Sequence, residues 1–215
     1  MKEIIKKIEQ HPVIPVYYND DIVLCKNILD GCYEGGIRVF EFVNRGAKAL
    51  ENFAALVEYK NQKYPDLTLA IGTIKTAQQA KDFLAVGADF IVSPIVKSEI
   101  AEVTLAKNIL WIPGAMTPTE IALAEELGAP LVKLFPGDLL GTSFLKAIKP
   151  LFSTMKFMPT GGVKLEEKNI SDWFNAGVTS VGMGSKLFEN ADTNPELLKQ
   201  RVIQIFDWIK TNQSK

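Results

Sequence analysis

The sequence predicts an α/β fold: a single (β/α)8 TIM barrel over residues 1–215, with an N-terminal capping helix. Three observations predict it. Short apolar runs alternate with amphipathic stretches along the chain, and alternating β and α units imply a parallel sheet. The unit recurs eight times at near-constant pitch within 215 residues, which suits a compact closed barrel. The first strand-to-helix turn, Tyr17-Tyr18-Asn19-Asp20, holds no glycine. An open doubly wound sheet would carry a glycine fingerprint there. No linker, low-complexity segment or second domain interrupts the rhythm.

Ile4, Ile5 and Ile8 mark one face of a short first helix, ended by His11-Pro12. Val13–Tyr17 reads as strand. Asn19-Asp20-Asp21 offers capping chemistry for a helix to about Glu34, with Ile22, Cys25, Ile28, Leu29 and Cys32 apolar. Gly35-Gly36 stops it. Ile37–Glu41 is the second strand. A helix over Ala47–Lys63 is broken by Pro65-Asp66, and Leu67–Ile71 is the third strand, ending in Gly72-Thr73. Thr76–Val86 is helix, Asp89–Val92 strand before Ser93-Pro94, Lys97–Lys107 helix, and Leu110–Ile112 strand before Pro113-Gly114. Thr117 caps a helix to Leu127, with Glu120 at capping-box spacing. Leu131–Gly137 is strand and Gly141–Ile148 helix. Lys156–Met158, Glu166–Ala176, Val178–Gly182 and the long helix Pro195–Lys210 complete the order.

Composition excludes several classes. The net charge of -1 lacks the basic excess that nucleic-acid or membrane-surface binding needs. The amphipathic start, Met1 to Lys7, carries no signal-peptide or membrane-spanning pattern. Cys25 and Cys32 lie seven apart on one helix face, as reduced core residues of a cytosolic protein do. His11 is the only histidine, so a zinc site with several imidazoles cannot be built within the chain. A Ser-His-Asp triad would have to use His11, which reads better as a capping or surface residue.

The chemistry centres on the run Leu131-Val132-Lys133-Leu134-Phe135. A lysine inside a buried strand is unusual, because an ammonium is costly to bury unless paired or neutralised. Apolar burial favours the neutral amine, and a neutral amine attacks carbonyls. Lys133 is therefore a candidate Schiff-base nucleophile; the plainer alternatives are a lysine paired with a carboxylate or one that snorkels to the strand end. In such barrels the chemistry sits at the C-terminal strand ends. Glu41 shares strand parity with apolar Ile37 and Val39, so it either pairs with a cation or carries protons. Across the barrel mouth from Lys133 it can do both. Arg45, four residues on, suits a carboxylate or a phosphate. Gly161-Gly162 and Gly182-Met183-Gly184-Ser185 follow the last two strands, where backbone N–H groups often bind phosphate.

The motifs E-F-V-N-R at 41–45, I-G-T-I at 71–74, V-S-P at 92–94, I-P-G-A-M-T-P-T-E at 112–120, V-K-L-F-P at 132–136, P-T-G-G-V at 159–163 and V-G-M-G-S at 181–185 run over nearly the whole chain. Together they resemble the 2-keto-3-deoxy-6-phosphogluconate (KDPG) and 2-keto-4-hydroxyglutarate (KHG) aldolase family. The resemblance implies a class I aldolase that needs no metal or cofactor, typically a cytoplasmic homotrimer. It implies that Lys133 is the Schiff-base lysine and Glu41 the acid/base. Arg45 and Thr73 match positions that hold the substrate carboxylate. Pro94, Phe135 and Thr160 match pocket-lining residues, and Gly161, Gly162, Gly184 and Ser185 the phosphate end. Arg45 and the phosphate end are expected at opposite ends of the pocket.

Two stretches depart from the family's frequent forms. Val43-Asn44-Arg45-Gly46 stands where many members read T-L-R-T, and Met183 and Lys186 replace positions of G-G-S-W. The expected reaction cleaves a 2-keto-3-deoxy-6-phospho sugar acid to pyruvate and an aldehyde such as glyceraldehyde 3-phosphate, with hydroxyketoglutarate and the galactonate stereoisomer as alternative substrates. A phosphosugar isomerase or epimerase, or a sugar-phosphate-binding protein, is the competing reading on the same barrel. Small-molecule substrates are the expected partners, with no nucleic acid and no membrane.

Overall fold

A computed structural model of the chain describes residues 1–191 and 193–213. Its strands are β1 (Val13–Tyr17), β2 (Val39–Val43), β3 (Thr68–Gly72), β4 (Phe90–Val92), β5 (Leu110–Ile112), β6 (Gly114–Ala115), β7 (Leu131–Leu134), β8 (Lys156–Pro159) and β9 (Val181–Met183). The helices are α1 (Lys2–Gln10), α2 (Ile22–Glu34), α3 (Ala49–Lys63), α4 (Ala77–Ala85), α5 (Ser98–Ala106), α6 (Pro118–Glu126), α7 (Gly137–Ile148), α8 (Glu167–Asn175), α9 (Ser185–Phe188) and α10 (Pro195–Gln213). Among the described residues no helix is long and apolar enough to cross a membrane.

The strands pair in parallel in two runs, β5-β4-β3-β2-β1-β9 and β6-β7-β8. Two junctions join the runs into a ring. β5 continues into β6 across Pro113, whose carbonyl accepts from the Lys133 N–H at 2.8 Å. Thr160, just past β8, bridges Gly182 in β9. With β5 and β6 sharing one position, the ring has the eight positions of a (β/α)8 barrel.

Strand alternation sorts the core into two clusters. Ile14, Val39, Ala70, Phe90, Leu110, Leu131 and Met158 point inward and fill the barrel. The N-terminal mouth is closed by α1, whose Ile8 is fully buried in this cluster. Burying that side chain contributes about 2 kcal/mol. The Lys7 ammonium donates to the Asp66 carbonyl (2.7 Å) and Thr68 Oγ1 (3.0 Å), and Lys156 pairs with Glu9 at 2.8 Å, so the plug is tied to two sides of the ring. The outward residues, such as Phe40, Phe42, Leu69 and Ile71, pack under the helices in the second cluster.

Several element bounds differ from the sequence reading, and one difference matters. The second strand is Val39–Val43 rather than Ile37–Glu41. Gly36 has φ +111, so the turn extends through it, and pairing of Val39 with Thr68 sets where the ladder starts. Glu41 thereby moves from the strand end to its middle. The last strand likewise begins at Val181 rather than Val178. α7 begins at Gly137, ahead of the expected Gly141, where φ 68 breaks it. The caps agree with expectation: Asp21 accepts from the Val23 N–H, and Thr117 and Glu120 form a capping box. His11 is the C-cap of α1, and burial followed by the charge of Arg38 lowers its pKa. Cys25 and Cys32 are free and buried. Burial pushes the Cys25 thiol up to about 11 and Cys32 further still, so both are inert in character.

Candidate active site

Lys133 sits in β7 one inward layer above Leu131 and is only 6% exposed. Glu41 sits in β2 one inward layer above Val39 and is fully buried. β2 and β7 occupy opposite positions in the ring. Lys133 Nζ stands 3.3 Å from Glu41 Oε1, so the two side chains meet across the lumen. The other carboxylate oxygen, Oε2, is buried without a hydrogen-bond partner. Leaving such an acceptor unpaired costs about 1–3 kcal/mol. A water or a substrate hydroxyl in the lumen would relieve that cost.

Two strand glycines make the space. Gly72 ends β3 beside Glu41, and a Cβ there would collide with Glu41 Oε1. Gly182 in β9 faces Thr160, and a Cβ there would collide with Thr160 Oγ1. Thr160 is buried and its Oγ1 has no hydrogen-bond partner. Above the apolar plug the lumen thus holds one ion pair and two unpartnered oxygens. Phe135 walls the mouth, with its ring centroid 5.5 Å from Lys133 Nζ, a cation–π contact.

Arg45, Phe135, Thr160, Gly161, Gly162, Gly184 and Ser185, all singled out from the sequence, line one cavity at the mouth. Thr73 and Pro94 do not line it. They are half-buried after β3 and β4, across the ring from the loops after β8 and β9. Thr73 has φ 62, a strained backbone for a β-branched residue, of the kind that gathers at functional rims.

Arg45 departs from expectation. It was expected opposite the phosphate end, yet it lines cavities together with Ser185, Gly161 and Gly184. The reason is topological. Only β1 separates β2 from β9, so the loop after β2 lies close to the loop after β9. Gly162 also has a reason beyond exposing its N–H. Its φ is +69, and a Cβ would sit 2.5 Å from that of Asp138. The Asp138 carboxylate lies against the same loop, 3.4 Å from where a Gly161 Cβ would stand.

Two polar residues of the cavity are not legible as site residues in the sequence. Tyr18 lines it and hydrogen-bonds Asp20 through its hydroxyl. Burial, then that hydrogen bond, pushes the phenol up to about 12. The signal was Gly46, a departure from the family form: a Cβ there would collide with the Tyr18 hydroxyl. Lys186 is the other, and it too stood at a departure.

Comparison with known proteins agrees with this architecture. Residues 3–203 match the family model described as KDPG and KHG aldolase. The chain is 34% identical over 166 residues to 2-dehydro-3-deoxy-phosphogluconate aldolase of Treponema pallidum (strain Nichols), covering 77% of each. It is 29% identical over 153 residues to the KHG/KDPG aldolase of Escherichia coli (strain K12), covering 71% of this chain and 70% of that one. The crystal structure of KDPG aldolase from Legionella pneumophila, with pyruvate captured at low pH as a covalent carbinolamine intermediate, superposes with a TM-score of 0.84 at 28% identity, covering 94% of this chain and 97% of that one.

Proposed function

The chain belongs to the KDPG and KHG aldolase family, and from this premise we propose that it is a class I aldolase cleaving a 2-keto-3-deoxy-6-phospho sugar acid to pyruvate and glyceraldehyde 3-phosphate, with Lys133 as nucleophile and Glu41 as proton carrier. The observation that carries the reading is the Lys133–Glu41 pair spanning the lumen at 3.3 Å above an apolar plug, with Glu41 Oε2 unpartnered. The Lys133 amine adds to the C2 ketone, and loss of water gives an iminium. The iminium takes up the electron pair as the C3–C4 bond breaks, and Glu41 removes the C4 hydroxyl proton through a water. Protonation of the enamine and hydrolysis release pyruvate and restore the lysine. Thr160 offers a hydroxyl to the bound substrate. Phe135 and Pro94 wall the pocket, Thr73 supplies a contact for the carboxylate, and Arg45, beside Ser185, faces the phosphate end. Gly161, Gly162, Gly184 and Ser185 form the phosphate end.

No step requires a metal, because the iminium is the electron sink. The E. coli relative named KHG/KDPG aldolase favours hydroxyketoglutarate as a second substrate. A cytoplasmic homotrimer is the assembly we propose. Exposed Ile95, Met116, Phe135 and Leu139 follow neighbouring strand positions and offer an apolar rim for contact between subunits. Incubation with pyruvate and borohydride, followed by intact-mass measurement, tests the chemistry. One reduced pyruvate per chain is expected, and an unmodified mass where a control aldolase is labelled would refute it.

A further inference from the structure

We infer that Lys186 is a specificity-determining residue, the cation that selects a phosphorylated substrate at the mouth of this site. The inference rests on the aldolase reading above and deepens it. Lys186 lines the cavity that holds Gly161, Gly162, Gly184 and Ser185, and also the neighbouring one that holds Tyr18 and Arg45. Its backbone is well anchored. Leu187 and Phe188 beside it are buried, and Phe188 packs on Tyr17 with ring centroids 4.7 Å apart. Arg201 donates to the carbonyls of Leu187 (2.9 Å) and Glu189 (2.6 Å). The first turn of α9 therefore presents the Lys186 stem at a fixed place on the rim.

The side chain itself is free to exchange partners. Lys186 Nζ pairs with Glu189 at 3.3 Å, with side chains 63% and 59% exposed. Water screens a pair of that kind, and it contributes little. A phosphate dianion offers more charge and more acceptor oxygens than one carboxylate. The cavity also needs such a cation. Asp138 sets a carboxylate against the Gly161–Gly162 loop, so neutral backbone N–H groups alone would have to hold a dianion beside a like charge. Arg45 and Lys186 together offset it. Hydroxyketoglutarate asks less of the rim, since its far end is a single carboxylate on a shorter chain rather than a phosphate dianion.

The test measures KM and kcat for the phosphorylated sugar acid and for hydroxyketoglutarate, in the wild-type protein and in Lys186→Gln, Lys186→Arg and Glu189→Gln. Lys186→Gln is expected to raise KM for the phosphorylated acid about ten-fold more than for hydroxyketoglutarate, with kcat changed little. Lys186→Arg restores most of the loss. Glu189→Gln, which releases the lysine from its competitor, lowers KM for the phosphorylated acid. Equal changes on both substrates, no change on either, or no turnover of the phosphorylated acid by wild-type protein that pyruvate and borohydride label, would overturn the role of Lys186 alone. Failure of the wild-type protein to be labelled overturns the aldolase reading and this role with it.

Discussion

Among the described residues two lysines, Lys133 and Lys60, are buried beside carboxylates, and they sit in different layers. Lys133 meets Glu41 at 3.3 Å inside the barrel; Lys60 of α3 meets Asp89 at 3.2 Å in the layer between strands and helices. The distances alone do not tell them apart. The surroundings do. Asp89 Oδ2 also accepts from the Leu69 N–H at 2.7 Å, and Asp89 is a third exposed, so its charge is shared between backbone and water. Glu41 has no such help: one oxygen faces Lys133 and the other faces no donor. A pair with every group satisfied holds elements together. A pair with an unpartnered oxygen, where Gly72 leaves room for the Glu41 carboxylate, still has an acceptor to offer a ligand.

The comparison can be broken most severely at Lys133. Lys133→Ala is expected to abolish pyruvate labelling and lower turnover by about three orders of magnitude or more, as loss of a covalent nucleophile does. Lys60→Met should leave labelling in place. If both variants label normally, the distinction fails. Glu41→Gln comes next. It keeps the shape and a hydrogen-bonding group but removes the base, and turnover should fall about 10²- to 10⁴-fold. Stopped-flow assays of cleavage would check this, and a loss under two-fold would show that the proton goes elsewhere. Lys60→Met should instead cost about 1–2 kcal/mol of stability, since Asp89 keeps its backbone donor and its water. Urea unfolding measures it, and kcat of the folded protein should hardly change. The smallest effect is expected from exhaustive chelation, which should leave turnover as it was. Loss on chelation with recovery on adding Mg²⁺ or Zn²⁺ would favour an enolate route.

The candidate site was partly legible in the chain. Lys133 stood out because an ammonium inside an apolar run conflicts with local burial, and such conflicts gather at functional positions. Glu41 stood out by parity with Val39. In sequence Gly162 reads as exposing an N–H, while its left-handed backbone and the approach of Asp138 follow only from the fold. Tyr18 and Lys186 are not legible as site residues, because a tyrosine or a lysine in a loop sequence is ordinary. Arg45 reads in sequence only as a neighbour of Glu41, and its place beside Ser185 follows from β1 alone standing between β2 and β9.

By itself the sequence determined the alternation of strands and helices, the caps, the apolar face of α1 and the parity that puts Lys133 with Leu131 and Glu41 with Val39. Those features depend on periodicity and on contacts a few residues apart, so the local pattern carries them. Only the tertiary structure decided that Glu41 lies in mid-strand, that Lys133, 92 positions further along the chain, reaches it, and that Arg45 shares a cavity with Ser185. Register and ring closure are set by pairing between distant strands, where β2 aligns on β3 and Thr160 meets Gly182. Two side chains of suitable parity become a reactive pair only when their strands take opposite places in a closed ring, and that placement belongs to the whole barrel.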